Sequence, residues 1–483
     1  MPHVHESTGA KRIYLIGICG TAMASLAGML RKSGYEIIGS DEHVYPPMST
    51  FLEQLGIEVL VGYTKEHLEK FRPDLVVVGN AAARTNPEAA AVLELDLPYT
   101  SMPEAIHQLF LRGKHSIVAA GTHGKTTTTS LMAWVLEAAG RDPSFMVGGI
   151  PLNFNQNFKL GEGEEFVLEG DEYNTAFFDK GPKFVHYHAS TLILNNIEFD
   201  HADIYDGLDQ IMSAFRSGVS VMKSGDLIVA NGDDGNVAKL RADSRAVWLT
   251  FGFTPGVDLR ATDLEESEGG TAFTVFLHAK EWFRFRTTMS GRHNVANALA
   301  VAAVGRNRGL TAEQIQKGFE TFEGVKRRME VRGVEDGVTV IDDFAHHPTA
   351  VETTLRGARK KYPARRIWAL FEPRSISSAR KEFEAGYEQA FREADQVVIG
   401  PVFHRNRYET RYGLEKMMSV EAIIDSLQKN GTPARHVDDI DRIVALVASE
   451  AKGGAVIIAM SSGAFGGIHQ KLLDALKSRG EKE

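Results

Sequence analysis

The chain has 483 residues, of which 43% are hydrophobic and 24% charged, and its 63 acidic residues against 54 basic ones give a formal net charge of −9. This length predicts about three domains, and the acidic balance argues against a protein that binds the nucleic-acid backbone by general charge attraction. A nucleotide is not excluded, because glycine-rich loops and helix N-termini attract phosphate whatever the net charge of the chain.

Three further features bear on where the protein works. Cys19 is the only cysteine, so an internal disulfide is excluded, which suits a reducing compartment. The opening residues lack the basic start and the apolar run of a signal peptide. No stretch approaches the roughly 18 apolar residues that a membrane-spanning helix needs. We therefore expect a cytoplasmic protein without a membrane partner.

The first block, residues 1–112, has the alternation of an α/β domain. It opens with RIYLIGICGTAMASLAGMLRKSGYEIIGSDE, which predicts a strand, a glycine turn, a helix and a second strand that ends near Asp41. The runs IEVLVG and DLVVVGN predict further short buried strands of a parallel sheet. The block is therefore predicted to be a doubly wound, Rossmann-like domain.

A glycine turn joins the first predicted strand to its helix. Gly17 begins a partial match to the dinucleotide-binding pattern G-x-G-x-x-G, but Cys19 and Ala22 stand at two of its glycine positions. Asp41, at the end of the next strand, suits recognition of a ribose. The turn is predicted either to bind a nucleotide of unspecified kind or to be purely structural, and Cys19 is interpreted as a small turn residue rather than a reactive thiol.

The most informative segment of the second block, residues 113–330, follows the apolar run IVAA. It is Gly121-Thr122-His123-Gly124-Lys125-Thr126, continued by Thr127 and an apolar helix. This is the setting of a phosphate loop, in which glycines let backbone N–H groups approach phosphate oxygens. Lys125 is expected to neutralise the β- and γ-phosphates of ATP, and the Thr126 hydroxyl to bind Mg²⁺. Ala119 replaces the first glycine of the standard pattern, and a glycine turn capped by threonine is the alternative interpretation.

The remainder of the chain continues the α/β pattern. Two apolar runs lead into polar clusters, in EFVLEGDEYN and TLILNNIEFDHADIY, before a strand-rich stretch and the predicted helix of GRHNVANALAVAAVGRNRG. The third block, residues 331–483, alternates helical segments with the apolar runs of GVTVIDDFAHHP, RRIWALFEP, ADQVVIGPV and GGAVIIAMSSGAFGG. This alternation predicts a third doubly wound domain.

Six motifs follow one another in an order typical of one enzyme family. They are GTHGKTTTT, Glu169-Gly170-Asp171-Glu172, Asn195-Asn196-Ile197-Glu198-Phe199-Asp200-His201, Gly291-Arg292-His293-Asn294-Val295-Ala296-Asn297, Lys326-Arg327-Arg328 and Asp342-Asp343-Phe344-Ala345-His346-His347-Pro348. On these motifs the chain resembles the Mur ligase family across nearly its whole length. The resemblance implies an N-terminal Rossmann-like domain (1–112) for a UDP-sugar, a central P-loop ATPase-like domain (113–330) for ATP and Mg²⁺, and a C-terminal Rossmann-like domain (331–483) for an amine.

The resemblance also implies a reaction of peptidoglycan metabolism. ATP is expected to phosphorylate the lactyl carboxylate of UDP-N-acetylmuramate, and the amine of a short peptide then attacks the acyl phosphate. GICGTAMASLAG, DEYNTAFFDK, KFVHY and LILNNIEFDHADIY are similar to the branch that recycles the tripeptide L-alanyl-γ-D-glutamyl-meso-diaminopimelate. The alternatives are the branch that adds L-alanine, a nucleotide-dependent dehydrogenase and a non-catalytic nucleotide sensor.

The family's functional residues carry over to matching positions of this sequence. The expected metal ligands are Thr126, Glu169 and His201, and the expected catalytic residues are Lys125, His201, Glu169 and His346, the last assisting proton transfer. Besides the phosphate loop, the expected contacts to ATP are Asn294, Asn297, Arg328 and Asp343, with His293 near the active site. The expected contacts to the substrates are Gly17, Cys19, Gly20, Thr21, Asp41, Asn80 and Arg374.

Some positions leave alternatives open. Asp171 and Glu172 belong either to the metal shell or to a solvated turn, Asn294 is alternatively the cap of its helix, and His347 alternatively only packs. Several family members carry a carbamylated lysine about 15 residues after the motif histidine, but Arg216 stands there and cannot form a carbamate. Arg405 and Arg407 are further candidates for binding the carboxylates of the peptide, because arginine forms paired hydrogen bonds to carboxylates.

Overall fold

The computed structural model describes residues 11–46, 48–201, 204–375, 377–403 and 413–481. Its strands form three large sheets, one in each third of the chain, and a separate two-stranded ribbon. Helices alternate with the parallel strands of each sheet, as the sequence predicts for an α/β protein. None of the helices in these ranges is long and apolar enough to cross a membrane.

The first sheet has five parallel strands in the order β3-β2-β1-β4-β5. Ile13 and Leu15 pack on one face of the sheet, and Tyr14 and Ile16 on the other, because successive residues of a strand point in opposite directions. The strand order reverses between β1 and β4, where α/β sheets open a ligand cleft. The elements are β1 Arg12–Ile16, α1 Thr21–Lys32, β2 Glu36–Asp41, α2 Met48–Gln54, β3 Glu58–Val61, α3 Lys65–Phe71, β4 Leu75–Val78, α4 Pro87–Glu94, β5 Tyr99–Ser101 and α5 Met102–Ile106.

One expectation for this sheet is wrong. The run IEVLVG was expected to form a buried strand, but β3 lies at the sheet edge and Val61 is 73% exposed. An edge strand has a neighbour on one side only, so its apolar side chains need not be covered. The run DLVVVGN does form a buried strand, since all four residues of β4 are inaccessible.

The second sheet has ten strands in the order β17-β16-β15-β14-β13-β12-β6-β9-β7-β8. Its middle is parallel, and β15, β16 and β17 extend it as an antiparallel meander. The elements are β6 His115–Ala120, α6 Lys125–Ala138, β7 Ser144–Met146, β8 Phe158–Lys159, β9 Glu165–Gly170, β10 Asn174–Ala176, β11 Asp179–Pro182, β12 Thr191–Leu194, α7 Leu208–Ser220, β13 Leu227–Asn231, α8 Gly235–Lys239, β14 Val247–Gly252, β15 Leu259–Ser267, β16 Gly270–Leu277, β17 Lys280–Thr287, α9 Arg292–Asn307 and α10 Ala312–Thr321. The ribbon consists of β10 and β11.

The third sheet has six strands in the order β18-β19-β23-β20-β21-β22, and only β18 runs antiparallel. The elements are β18 Glu330–Glu335, β19 Val338–Asp343, α11 Pro348–Lys361, β20 Ile367–Phe371, α12 Glu384–Phe391, β21 Gln396–Ile399, α13 Val420–Lys429, β22 Ala434–His436, α14 Ile440–Glu450, β23 Val456–Met460 and α15 Ile468–Gly480. Short 3₁₀ or π turns occupy His107–Leu111, Lys183–Tyr187, Leu240–Asp243, Ser377–Ala379, Lys381–Phe383, Leu414–Lys416 and Phe465–Gly467.

The contacts between the domains are of two kinds. The first domain and one face of the second sheet share a continuous apolar core that runs from Ile13 to Leu240. Within it, Phe158 packs so closely on α1 that a Cβ at Gly28 would lie 2.6 Å from its ring. The other described cores of the second and third domains are separate. The first two domains are therefore joined by a shared apolar core, whereas none of the described cores continues from them into the third domain.

His186 forms a polar contact between the first two domains. Its Nδ1 lies 3.2 Å from Glu104 on α5, and its Nε2 lies 2.8 Å from Asp179 on β11. Burial lowers the pKa of His186, but the two carboxylates outweigh burial and the pKa is raised. A raised pKa in the folded state stabilises the protein below the unfolded pKa of about 6.5, and this contribution is lost as the pH rises through the folded value.

His186→Gln is therefore expected to destabilise the protein at low pH more than at high pH. We expect the variant to lower Tm by about 2 °C more at pH of about 6 than at pH of about 9, as measured by thermal unfolding in both buffers. His278→Gln is the matched control, because that histidine also faces a carboxylate, Asp258 at 3.3 Å, but its side chain is 67% exposed. Equal losses at both pH values would contradict the assignment.

Candidate active site

A cleft of about 2050 Å³ lies where the three domains meet. The phosphate loop, the segment after β12 and the start of α9 line it from the central domain, and the start of α11 lines it from the C-terminal domain. Thr21 and Ala22 of the N-terminal domain also contribute to its wall. Because parallel strands β6, β9 and β12 all end at this side of their sheet, their following residues converge there.

The phosphate loop has the strand–loop–helix geometry that the sequence predicts. It connects the end of β6 to the start of α6 at Lys125, and Gly121 and Gly124 adopt positive φ angles of 132° and 85°. A Cβ at Gly121 would lie 2.9 Å from the backbone oxygen of Asn196, and one at Gly124 would lie 2.8 Å from Oδ1 of Asn297. The loop is therefore a cradle that only glycine allows at these two points, which fits a polyphosphate.

Lys125 points back into the loop. Its Nζ donates to the carbonyl oxygens of Gly121 at 2.7 Å and Thr122 at 3.2 Å, and to Oε2 of Glu172 at 3.0 Å. Burial lowers the pKa of Lys125, but Glu172, Asp171 and Glu169 raise it above its ordinary value. The lysine is therefore fully protonated at neutral pH and presents a positive charge at the centre of the loop.

The three acidic side chains of the cluster after β9 make different contacts. Glu169 accepts a hydrogen bond from Gly148 N at 2.7 Å and lies beside the Thr126 hydroxyl. Glu172, with a side chain only 1% exposed, contacts both Lys125 and Nε2 of His201, the latter at 2.9 Å. Asp171 pairs with Lys183 at 2.8 Å instead. Glu172 is thus the carboxylate that touches two predicted catalytic residues, and its place in GDE was the only signal for it in the sequence.

The oxygen atoms of Thr126 and Glu169 suit Mg²⁺, which prefers oxygen ligands. Burial raises the pKa of Glu169, while Gly148 N, Lys125 and Thr126 lower it, and the net shift is upward. A buried carboxylate with a raised pKa favours an adjacent cation, because the cation offsets the cost of burying its charge. His201 is held by Glu172 and packs on Tyr173 with ring centroids 4.4 Å apart.

The start of α9 faces the phosphate loop. Asn297 donates to Asn294 at 3.3 Å, so the two amides lie on one face of the helix as their spacing predicts. The helix cap is Gly291, and Asn294 lies in the first turn, where its amide donates to Ser290 O at 2.8 Å. The interpretation of Asn294 as the cap is therefore wrong. His293 is an exposed residue of the cleft wall.

The segment that links the central and C-terminal domains carries the next predicted residues. Arg328 lines the cleft with its guanidinium 5.0 Å from the Phe344 ring, and Asp343 accepts hydrogen bonds from Met329 N at 2.7 Å and Ala345 N at 2.8 Å. Arg327 and Met329 adopt positive φ angles of 60° and 52°. A non-glycine residue in this conformation costs free energy and is retained only where surrounding contacts hold it.

His346 faces the same cleft. Its Nδ1 lies 2.9 Å from Phe344 O, and its own carbonyl accepts from the Tyr387 hydroxyl at 2.6 Å. Burial lowers the pKa of His346. A neutral imidazole can accept a proton, as the predicted role requires.

The N-terminal glycine turn is held against the end of β2 by hydrogen bonds from its backbone. Gly17 N donates to Ser40 O at 2.9 Å, and Cys19 N donates to Oδ2 of Asp41 at 2.9 Å. Burial, with Asp41 adding to it, raises the pKa of the Cys19 thiol to about 11, which agrees with a turn residue rather than a reactive thiol. Asn80 is exposed two residues after the end of β4. Thr21 is the member of the predicted sugar site that lines the cleft wall itself.

Two of the arginines named from the sequence, Arg374 and Arg216, do not line the cleft. Arg374 stacks over the Phe403 ring at 3.8 Å and lies 3.7 Å from Glu372, and it is not part of the described cleft wall. Arg216 pairs with Asp243 at 2.9 Å on an exposed face of α7. Arg405 and Arg407 lie outside the described residues.

Comparison with known proteins identifies the family. Three family models match in order: the Mur ligase family catalytic domain over residues 12–114, the Mur ligase middle domain over 119–305 and the Mur ligase glutamate ligase domain over 327–463. The chain is 39% identical to a UDP-N-acetylmuramate--L-alanyl-gamma-D-glutamyl-meso-2,6-diaminoheptandioate ligase of Escherichia coli (strain K12), with 97% of this chain and 99% of that protein covered. The chain belongs to the Mur ligase family.

Two further relatives are similar to this Mur ligase over nearly its whole length. A murein peptide ligase from Psychrobacter arcticus has a solved structure that superposes with a TM-score of 0.71 at 36% identity, covering 97% of this chain and 99% of that one. A UDP-N-acetylmuramate--L-alanine ligase of Caldanaerobacter subterraneus subsp. tengcongensis is 32% identical, with 97% and 98% covered. The family and the three-domain α/β fold predicted from the sequence are confirmed, whereas the predicted domain boundaries remain a prediction.

Proposed function

We propose that this Mur ligase joins UDP-N-acetylmuramate to the tripeptide L-alanyl-γ-D-glutamyl-meso-diaminopimelate with hydrolysis of ATP to ADP. The observation that carries the proposal is the cleft in which Lys125 of a phosphate loop, the carboxylates of Glu169 and Glu172, and His201 lie together. The name of the relative from Escherichia coli supports the tripeptide as the acceptor, and that of the relative from Psychrobacter arcticus supports a peptide. We place the reaction in the cytoplasm, where ATP is made.

The chemistry explains why such a cleft is needed. A free carboxylate resists attack by an amine because it would have to expel an oxide ion. Transfer of the γ-phosphoryl group of ATP to the lactyl carboxylate gives an acyl phosphate and ADP, and the amine then forms the amide bond as phosphate leaves. The enzyme supplies no nucleophile, so its contribution is positioning and neutralisation of charge.

The phosphoryl-transfer step falls to the central domain. Lys125 neutralises the β- and γ-phosphates inside the glycine cradle, and Glu172 keeps the lysine and His201 in place. Thr126, Glu169 and His201 are the residues that would hold Mg²⁺, whose positive charge would offset the negative charge of the phosphates. We assign the nucleotide contacts to Gly121–Thr127, Asn294, Asn297, Arg328 and Asp343.

The amide-forming step falls to the cleft between the central and C-terminal domains. His346, neutral because burial lowers its pKa, is suited to take the proton that the attacking amine loses. We assign residues 1–112 to the UDP-sugar through Gly17, Cys19, Gly20, Thr21, Asp41 and Asn80, residues 113–330 to ATP, and residues 331–483 to the peptide, with Arg374 as a candidate for one of its carboxylates.

Competition between acceptors tests this assignment. We expect incubation with UDP-N-acetylmuramate, ATP, Mg²⁺ and equal concentrations of the tripeptide and L-alanine to yield at least about ten times more tripeptide adduct, as measured by mass spectrometry. A tenfold preference corresponds to about 1.4 kcal/mol in the transition state. Predominant L-alanine adduct would assign the chain to the other branch. If phosphate is not released with either amine, or if a nicotinamide cofactor is oxidised instead, the ligase assignment itself is refuted.

A further inference from the structure

Three side chains outside the assigned magnesium site form a second cluster in the cleft. They are His123 of the phosphate loop, Glu198 after β12 and His347 at the start of α11, and their ligand atoms all lie within 4.8 Å of one another. His123 Nε2 is 3.8 Å from Oε1 of Glu198, which is too long for a hydrogen bond. The two imidazole rings are inclined at 41° with their centroids 5.1 Å apart, so the contact is not a parallel stack.

Both histidines have an unused ring nitrogen in the described part of the structure. Nε2 of His123 and Nε2 of His347 are buried without a hydrogen-bond partner, although buried polar atoms are nearly always paired. His347 is only 6% exposed. Its Nδ1 accepts a bond of 3.3 Å from Thr349 N, so Nε2 carries the ring proton and has no acceptor. Two buried imidazole nitrogens without partners beside one carboxylate indicate that a bound species completes this cluster.

Hydrogen bonds from neighbouring residues hold His123 and Glu198 in place. Asn196 accepts from His123 N at 2.8 Å and donates to His123 O at 3.2 Å. Glu198 N donates to the Thr122 hydroxyl at 2.9 Å, which fixes the glutamate beside the phosphate loop. The second carboxylate oxygen, Oε2, accepts from the Thr349 hydroxyl at 2.7 Å and leaves Oε1 turned toward His123. Hydrogen bonds of this kind orient the ligands of metal sites.

The charges of the cluster suit a cation. Burial raises the pKa of Glu198, but the neighbouring His123 and the Thr349 hydroxyl lower it more strongly, to about 2. Burial lowers the pKa of His347 to about 4. At neutral pH the cluster therefore contains an ionised carboxylate and a neutral buried imidazole, which are the protonation states that metal ligands require.

We propose that His123, Glu198 and His347 bind one Zn²⁺ ion, which bridges the central and C-terminal domains. Two imidazoles and one carboxylate with an open fourth position form a ligand set that zinc adopts in proteins, whereas Mg²⁺ prefers oxygen alone. Tetrahedral ligands at about 2.0–2.2 Å from zinc lie about 3.4 Å apart, so the side chains need to move by about 1 Å. Binding through Nε2 of His347 requires its ring proton to move to Nδ1, which breaks the weak bond from Thr349 N because both nitrogens are then donors.

Such an ion would restrict two parts of the enzyme at once. His123 lies in the phosphate loop between two residues of the nucleotide cradle, and His347 caps the first helix of the C-terminal domain. Zinc would therefore fix the distance between the loop and that helix. The proposal does not depend on the identity of the acceptor amine.

Metal titration of the full chain tests the proposal. We expect the purified protein in excess Mg²⁺ to bind one equivalent of Co²⁺ with a visible absorption spectrum typical of four-coordinate nitrogen and oxygen ligands, and Zn²⁺ to displace it stoichiometrically. Glu198→Gln and His347→Gln are each expected to weaken Zn²⁺ binding by at least about 100-fold, and Thr349→Val, which removes an orienting hydroxyl, by about 10-fold. Zinc is expected to raise Tm of the parent protein and of neither ligand variant.

The matched control is His201→Gln, because His201 also pairs with a carboxylate in the same cleft. This variant is expected to keep the zinc affinity of the parent. Loss of binding in His201→Gln with retention in His347→Gln would place the ion in the assigned magnesium site and overturn the proposal. An absence of stoichiometric cobalt binding in the folded parent would overturn it as well. Circular dichroism will show whether His347→Gln folds. If it does not, Glu198→Gln still tests the proposal, because this substitution preserves the shape of the side chain.

Discussion

Lys125→Ala is expected to lower kcat/KM for ATP by at least about 10³-fold. The substitution removes the positive charge at the centre of the phosphate loop, where negative charge gathers during phosphoryl transfer, and losing one such contact typically costs 10²- to 10³-fold or more. Binding of the UDP-sugar should change little, because its proposed site lies in another domain. The measurements are ADP release over a range of ATP concentrations, with the other substrates saturating, and calorimetric titration with UDP-N-acetylmuramate. Near-normal ligation by the variant would refute our assignment of the loop.

A second variant separates catalysis from folding. Without Lys125, the carboxylate of Glu172, at 1% exposure, keeps only its contact with His201, and removing one partner of a buried ion pair typically costs about 3–5 kcal/mol. Adding Glu172→Gln removes that charge, so the double variant should regain most of the lost stability in denaturant unfolding. It should not regain ligation, because the contact with phosphate is still missing.

Glu169→Gln is expected to lower kcat by at least about 10²-fold while leaving the free energy of unfolding nearly unchanged. The side chain keeps its bond from Gly148 N but loses the negative charge that we assign to Mg²⁺. Its raised pKa means that ionisation of Glu169 is unfavourable in the folded protein until a cation approaches. Ligation measured against Mg²⁺ concentration should show a higher requirement for the metal.

Glu172→Gln is the matched control for this prediction. Glu172 contacts Lys125 and His201 directly, so its amide should weaken both contacts and lower the stability as well as kcat. The Mg²⁺ concentration that gives half-maximal ligation should rise less than in Glu169→Gln. If Glu172→Gln raises the Mg²⁺ requirement more than Glu169→Gln does, our assignment is wrong, and Glu172 rather than Glu169 binds the metal.

Much of the fold follows from local sequence patterns. The strand, glycine loop and helix around Lys125 are contiguous, so hydrophobic periodicity and the loop residues are sufficient to predict them. The short strands β8 and β22, of two and three residues, are too brief to leave such a pattern. The exposed strand β3 shows the opposite error, since an apolar run indicates a strand without indicating whether a neighbour covers it.

The sequence predicts those candidate site residues that lie within a single motif, but not the contacts between distant segments. Motif order located Lys125, Glu169 and His201, but the side-chain directions within Glu169-Gly170-Asp171-Glu172 depend on the loop after β9, and the contacts of Glu172 could not be predicted. The meeting of His123, Glu198 and His347 is set by three segments that are far apart in the chain. No spacing rule connects them, because their approach depends on how the two domains dock.

The unequal contacts between the domains have a mechanical consequence. The apolar core that Ile13 and Leu240 share makes one rigid platform of the first two domains, whereas the link to the third passes through Arg327, whose guanidinium donates to the carbonyl of Ser461 at 2.7 Å. Motion during turnover should therefore be concentrated in one hinge at Arg327, about which the third domain rotates as a rigid body. Substitutions at this hinge would change the rate of product release and the apparent affinity for ATP together, although the substituted residues contact neither the product nor ATP.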